Sequence, residues 1–101
     1  MASEDAILTI SVVATLIKLH PRTIMLYEQA GLFSPHRTST KRRLYSKKNL
    51  EELQFIKYLT QEEGINIQGT KKILEAISQA QKNNLDLKSS LFPNFKTKEL
   101  I

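Results

Sequence analysis

Pro21 and Gly31 stand ten residues apart and set the length of the helix between them. Proline is favoured at the first helical position, where its missing amide hydrogen costs nothing. Glycine is favoured in the left-handed position just past a helix end. Before this segment, Ile10 to Ile17 reads as another short helix with Ser11 as N-cap, and Lys18-Leu19 is the turn that ends it. Two short helices with so few residues between them predict a helix-turn-helix unit, whose second helix enters the major groove of DNA.

The sequence beyond Gly31 adds a wing. Leu32 to Tyr45 has a polar centre flanked by strand-compatible residues and reads as a two-stranded hairpin, without the glycine that usually marks such a turn. Ser46 caps a third helix carrying Leu50, Leu53, Ile56 and Leu59 on one face, and Gly64 closes it. Asn66 caps a fourth, with Ile67, Ile73, Leu74 and Ile77 as its buried stripe. The expected fold class is mainly α: a winged helix-turn-helix with two following helices and a short apolar tail. Residues 1–7 are read as a disordered N-terminus, 8–82 as the DNA-binding domain, and 83–101 as a tail for docking or dimerisation. Asn83-Asn84, Ser89-Ser90 and Pro93 interrupt that tail, yet its leucines and phenylalanines make it too apolar for a solvated linker.

Charge is distributed unevenly along the chain. Residues 6–50 hold eight basic residues, Lys18, Arg22, Arg37, Lys41, Arg42, Arg43, Lys47 and Lys48, against the single acid Glu28. The remainder holds seven basic and nine acidic residues. All of the net charge of +5 therefore comes from the helix-turn-helix and wing, as expected of a phosphate-facing surface.

Other classes are disfavoured on composition. There is no cysteine, which removes disulfides, thiolate metal sites and thiol catalysis. His20 and His36 are too far apart for a local metal motif, and His20 reads as a helix-start residue. No carboxylate pair, nucleophile arrangement or phosphate-binding glycine loop suggests an enzyme. No apolar run reaches the roughly 18 to 20 residues a bilayer requires. The acidic start Met1 to Asp5 is wrong for a secretory signal, so a cytoplasmic, nucleoid-associated location is expected, with no membrane partner.

Ile10-Ser11, Thr23-Ile24, Tyr27-Glu28-Gln29-Ala30-Gly31-Leu32, Arg37, Arg43-Leu44-Tyr45-Ser46 and Leu50 through Leu53 together resemble the MerR family of transcriptional regulators. Leu19-His20-Pro21-Arg22-Thr23, Ser34-Pro35-His36-Arg37-Thr38 and Leu59 through Asn66 resemble its heat-shock repressor subgroup, and the likeness runs from about Leu8 to Ala80. The resemblance implies a dimeric repressor that binds an inverted repeat in double-stranded DNA upstream of chaperone genes, with an Hsp70-type chaperone as co-repressor. It implies no cofactor and no small-molecule effector, since the longer C-terminal region that holds effector sites in the family has no counterpart here.

DNA contacts follow residue by residue. Arg37, Lys41, Arg42 and Arg43 place cations along the wing, where each can neutralise a phosphate, with a solvated charge run as the plainer reading. Arg22 can bond guanine in a bidentate way or contact a phosphate. Tyr27 falls on the family's recognition-helix tyrosine, where a backbone contact and a structural role are both open. Ser11 and Thr23 are carried over on their matches, as is Tyr45, for which core packing is the rival role.

The chain also departs from the family. The recognition helix commonly reads Thr-Leu-Arg and here reads Thr23-Ile24-Met25-Leu26, so an apolar pair replaces a cation. With Ile24 inward, at least one of Met25 and Leu26 faces the groove or solvent, to touch thymine methyls or another protein. Thr70 stands where the family buries an aliphatic residue, and Gly69 before it weakens the fourth helix by about 1 kcal/mol relative to alanine. The family's long dimerisation helix has only a short interrupted counterpart, so a homodimer would rely on the tail. An alternative reading is therefore a chaperone-modulator adaptor that holds a chaperone or J-domain protein through Met25, Leu26, Leu91, Phe92 and Phe95. A third is an excisionase-like architectural factor.

Overall fold

The computed structural model describes residues 7–40 and 42–101. Five α-helices and a two-stranded sheet follow one another as α1 (Ile10–Ile17), α2 (Pro21–Gln29), β1 (His36–Arg37), β2 (Arg43–Leu44), α3 (Lys47–Lys57), α4 (Ile67–Lys82) and α5 (Leu87–Leu91). This is a winged helix-turn-helix with further helices behind it.

α1 is capped two residues earlier than the sequence suggests. Its N-cap is Thr9, whose hydroxyl accepts from the Val12 amide at 3.5 Å, and Ser11 lies inside the first turn. The cause is an extended stretch just upstream: Leu8 pairs with Tyr45 as an antiparallel bridge, with the Tyr45 amide donating to the Leu8 carbonyl at 2.7 Å. The chain leaves that bridge at Leu8, so Thr9 is the first residue able to cap. Ile7 joins the same bridge, its amide donating to the Tyr45 carbonyl. α1 ends at Lys18, which takes the left-handed conformation (φ 63°) and donates to the Ala14 carbonyl at 2.9 Å.

α2 starts and stops as Pro21 and Gly31 dictate. Its N-cap is His20, whose Nδ1 accepts from the Arg22 amide at 3.0 Å, and Gly31 turns the chain out with φ +82°. The wing pairs His36 with Leu44 and Arg37 with Arg43 in antiparallel register. It manages without a glycine because Thr38 organises the turn: its hydroxyl accepts from the Arg42 amide at 3.1 Å while its own amide donates to the Arg42 carbonyl at 3.0 Å.

α3 opens on a reciprocal cap between Ser46 and Asn49, both nearly buried. Such a box satisfies two amide donors that would otherwise be orphaned. Leu50, Leu53, Ile56 and Leu59 are all buried, as their spacing predicts. Phe55 is buried as well. The helix then widens into a π-helical turn, Tyr58–Glu62, before Gly64 (φ +70°) redirects the chain.

The α4 stripe differs from expectation at its start. Ile77 is buried and Ile73 and Leu74 are partly so, but Ile67 is 37% exposed. Ile67 opens the helix and, with Gln68 beside it, is exposed. Thr70, in the next turn, carries the stripe instead and is fully buried.

Two hydrophobic clusters result. The larger joins α1, α2, the base of the wing and α3, and includes Val13, Ile24, Tyr27, Phe33, Tyr45, Leu50, Leu53 and Ile56. The smaller is built on Phe55, Leu59 and Ile77, with Leu87, Phe92 and Phe95 of the tail packed against it. The Phe95 ring lies 5.1 Å from each of Phe55 and Tyr58, and Phe92 meets Phe55 edge-on at 5.6 Å. Lys88 lies over the Phe55 ring at 4.5 Å. Asp86 caps α5 by accepting from the Ser89 amide at 3.1 Å, which holds its carboxyl below the usual carboxylate range. Gln54 holds the last residues by exchanging two hydrogen bonds with the Lys98 backbone.

Candidate nucleic-acid interface

The outer face of α2 follows from its burial pattern. Ile24 and Tyr27 turn into the core, so the opposite side of the helix carries Arg22, Leu26 and Gln29, all exposed. These positions recur at i, i+4 and i+7 and form one ridge about 10 Å long, given a rise of 1.5 Å per residue. Thr23 and Met25 flank the ridge and are partly buried. Leu26, 48% exposed, is the member of the apolar pair that faces outward.

The wing is tied to this helix through one carboxylate. Glu28, whose side chain is only 12% exposed, accepts from Arg37 Nη2 with one oxygen and from Arg43 Nε with the other, both at 2.6 Å. Arg37 and Arg43 are the two residues paired across the hairpin, so Glu28 bonds the wing at both strands. Arg42 is exposed beside them. Lys41, also expected at this surface, lies outside the described residues.

A further cation stands at the end of α2. A Cβ added to Gly31 would lie 3.3 Å from Lys71 Nζ, which puts that ammonium against Gly31 just past the C-terminus of the helix, the end where positive charge is favoured. Lys71 comes from α4, so no local motif announces it.

The remaining predicted residues are distributed differently. Ser11 is exposed on the first turn of α1. Tyr27 is buried and its hydroxyl is hydrogen-bonded to Thr60 Oγ1 at 2.8 Å, which joins α2 to the π turn. Tyr45 is fully buried against Phe33, and its hydroxyl has no hydrogen-bond partner among the described residues. Burial, and then the negative charge of Glu28, raise the Tyr45 phenol above its usual range. Of the apolar surface residues, Leu91 is exposed, whereas Phe92 and Phe95 turn inward onto Phe55 and Tyr58 of their own chain. The sequence reading gave neither Glu28 nor Gln29 a role at the site, taking Glu28 as the lone acid of a basic region and both as part of the family motif. The signal for both lay in helical phase, since Glu28 is one turn beyond Ile24 and Gln29 three residues beyond Leu26.

A short helix pair, an outward polar ridge and a cationic hairpin bonded to it define the regulatory helix-turn-helix class. Residues 8–77 match the family model for MerR HTH family regulatory proteins, and the chain belongs to that family. It is 40% identical over 79 residues to the heat shock protein HspR of Streptomyces coelicolor, covering 78% of this chain and 52% of that protein. It is also 40% identical over 65 residues to the HTH-type transcriptional regulators GlnR of Bacillus anthracis and Bacillus cereus, covering 64% of this chain and 50% of each. The chain thus spans about half the length of the curated relatives it matches. Those named for their activity are transcriptional regulators, not enzymes. Among the described residues no helix is long and apolar enough to cross a membrane.

Proposed function

We propose that the chain is a DNA-binding transcriptional regulator of the heat-shock repressor kind. It represses chaperone genes by binding an inverted repeat as a homodimer, with an Hsp70-type chaperone as co-repressor. The observation that carries the DNA-binding reading is the attachment of the cationic wing to the recognition helix, which bonds Arg37 and Arg43 to the same helix that bears the ridge of Arg22, Leu26 and Gln29. The likeness to HspR over most of the chain supports the heat-shock assignment. On this reading the ridge reads bases: arginine bonds guanine, an apolar side chain meets a thymine methyl, and glutamine bonds adenine. The wing cations hold the backbone and set the register.

The test is equilibrium binding to a duplex selected by the protein from a randomised library, titrated over a range of salt. Affinity is expected to fall with a log–log slope of about −0.9 for each phosphate neutralised, because each contact releases a counterion. Selection should also return a symmetric site. Binding that is indifferent to salt, or no stronger for the selected duplex than for the unselected library, overturns the reading. The adaptor alternative draws on the exposure of Leu26 where the family carries a cation nearby. It predicts a complex with a purified Hsp70 or J-domain protein that Leu26→Glu abolishes, and no selected DNA.

A further inference from the structure

We propose that Glu28 is the positioning residue of the wing: its carboxylate holds Arg37 and Arg43 in the orientation that meets the DNA backbone, and so governs specificity without touching DNA. The proposal rests on the DNA-binding reading above and adds to it a residue with no positive charge and little exposure.

The argument starts from the hairpin register. Arg37 and Arg43 are direct cross-strand partners, and like charges in that relation repel and push a short hairpin apart. Among the described residues two residue pairs make up this sheet, and the turn bonds are those of Thr38 with Arg42 and with Thr40. Glu28 sits between the two guanidinium groups with one oxygen for each, at 2.6 Å. Distances this short mark charge-assisted bonds, roughly twice as strong as neutral ones. Because Glu28 belongs to α2, the same carboxylate that stops the arginines repelling also bonds both strands to the recognition helix.

The mode of engagement matters for DNA. Arg43 meets Glu28 through Nε, on the side of its guanidinium, and makes no other hydrogen bond among the described residues. Its Nη1–Nη2 edge is thus available for a bidentate phosphate contact while the side is held. Such contacts carry no sequence information but fix how the protein lies on the duplex, and therefore whether the α2 ridge meets base edges in register. Non-specific binding needs only the charge.

Two variants separate positioning from charge. Glu28→Gln removes the negative charge and loosens the wing. Glu28→Asp keeps the charge but is one methylene shorter and cannot reach both arginines. Each full-length protein is measured against the duplex selected by the wild type and against the unselected library, and its amide exchange is followed by NMR. The expected result is a fall of about tenfold in the ratio of selected to unselected binding for both variants, equal to about 1.4 kcal/mol. Unselected binding stays at or above the wild-type level. The Thr38 and Arg42 amides exchange faster while those of Leu50 and Ile56 do not change. An unchanged ratio in both variants overturns the proposal, as does wild-type behaviour in Glu28→Asp, which would reduce the effect to net charge. Faster exchange throughout the core also overturns it, by assigning Glu28 to the fold rather than the wing. Failure of the wild type to bind DNA in a salt-dependent way removes the regulatory reading itself and is distinct from all of these.

Discussion

Thr70 shows how a single residue can be placed correctly by pattern and still be chemically at odds with its site. It occupies a core position of α4 and is fully buried, and its hydroxyl has no hydrogen-bond partner among the described residues. A buried hydroxyl without a partner costs about 1–3 kcal/mol. Thr70→Val has nearly the same shape and helix propensity and should raise stability by about 1–2 kcal/mol. In thermal unfolding that is an upward shift of roughly 4–8 °C per kcal/mol for a domain of this size. An unchanged or lowered melting temperature would mean that the hydroxyl is satisfied in solution. The position was legible through the family resemblance, which puts a buried aliphatic residue there; the missing partner was not, since it depends on how the rest of the fold packs around α4. Tyr27 and Tyr45 make the same point in reverse. Their places in the motif were clear, but whether each hydroxyl faces DNA or Thr60 or nothing is decided by the packing of α2 and the wing on α3.

At the scale of the element, the start signals of the first four helices were read from sequence with one error, and that error has a non-local cause; α5 and its Asp86 cap were not read at all. Ser46, Asn66 and Pro21 act as short-range chemistry dictates, with caps completed within three residues. Thr9 replaces Ser11 because Leu8 is held by Tyr45, far along the chain. Gly69 is a similar case. Propensity alone says that Gly69→Ala should stabilise α4 by about 1 kcal/mol. An added Cβ, however, would lie 2.9 Å from Ile65 Cγ2 and 3.0 Å from Asn66 Oδ1, the oxygen that accepts from the Gly69 amide at 2.7 Å. The substitution should therefore displace the N-cap, which is worth about 1 kcal/mol, and give no net gain. Thermal unfolding of Gly69→Ala checks this, and a rise of several degrees would show that the first turn yields without loss of its cap.

For the whole molecule, the decisive arrangement is that the tail folds back over Phe55 and Tyr58 instead of extending away. Its apolar content made docking predictable, but the choice of its own third helix as the platform comes from the aromatic pairs and from the Gln54–Lys98 bonds, which have no sequence signature. Phe95→Ala removes a half-buried ring with two aromatic neighbours and should destabilise by about 2 kcal/mol, below the 3–5 kcal/mol of a fully buried phenylalanine. The check is thermal unfolding together with amide exchange in α5, which should accelerate. Unaltered stability would mean that the ring contributes nothing to its own domain and is available to another.

The π turn at Tyr58–Glu62 has a bearing on how this chain tolerates change in length. A π turn takes in more residues per cycle than the α-helix that leads into it, so it behaves as a one-residue insertion at the end of α3. It thereby acts as a phase adapter, letting Thr60 meet Tyr27 while Tyr58 serves the tail. Removal of one residue here would restore ordinary helical winding and rotate one set of partners by about 100° relative to the other. A single deletion here would put the Tyr27–Thr60 hydrogen bond and the ring contacts of Tyr58 out of phase, and so uncouple the recognition helix from the platform on which the tail rests.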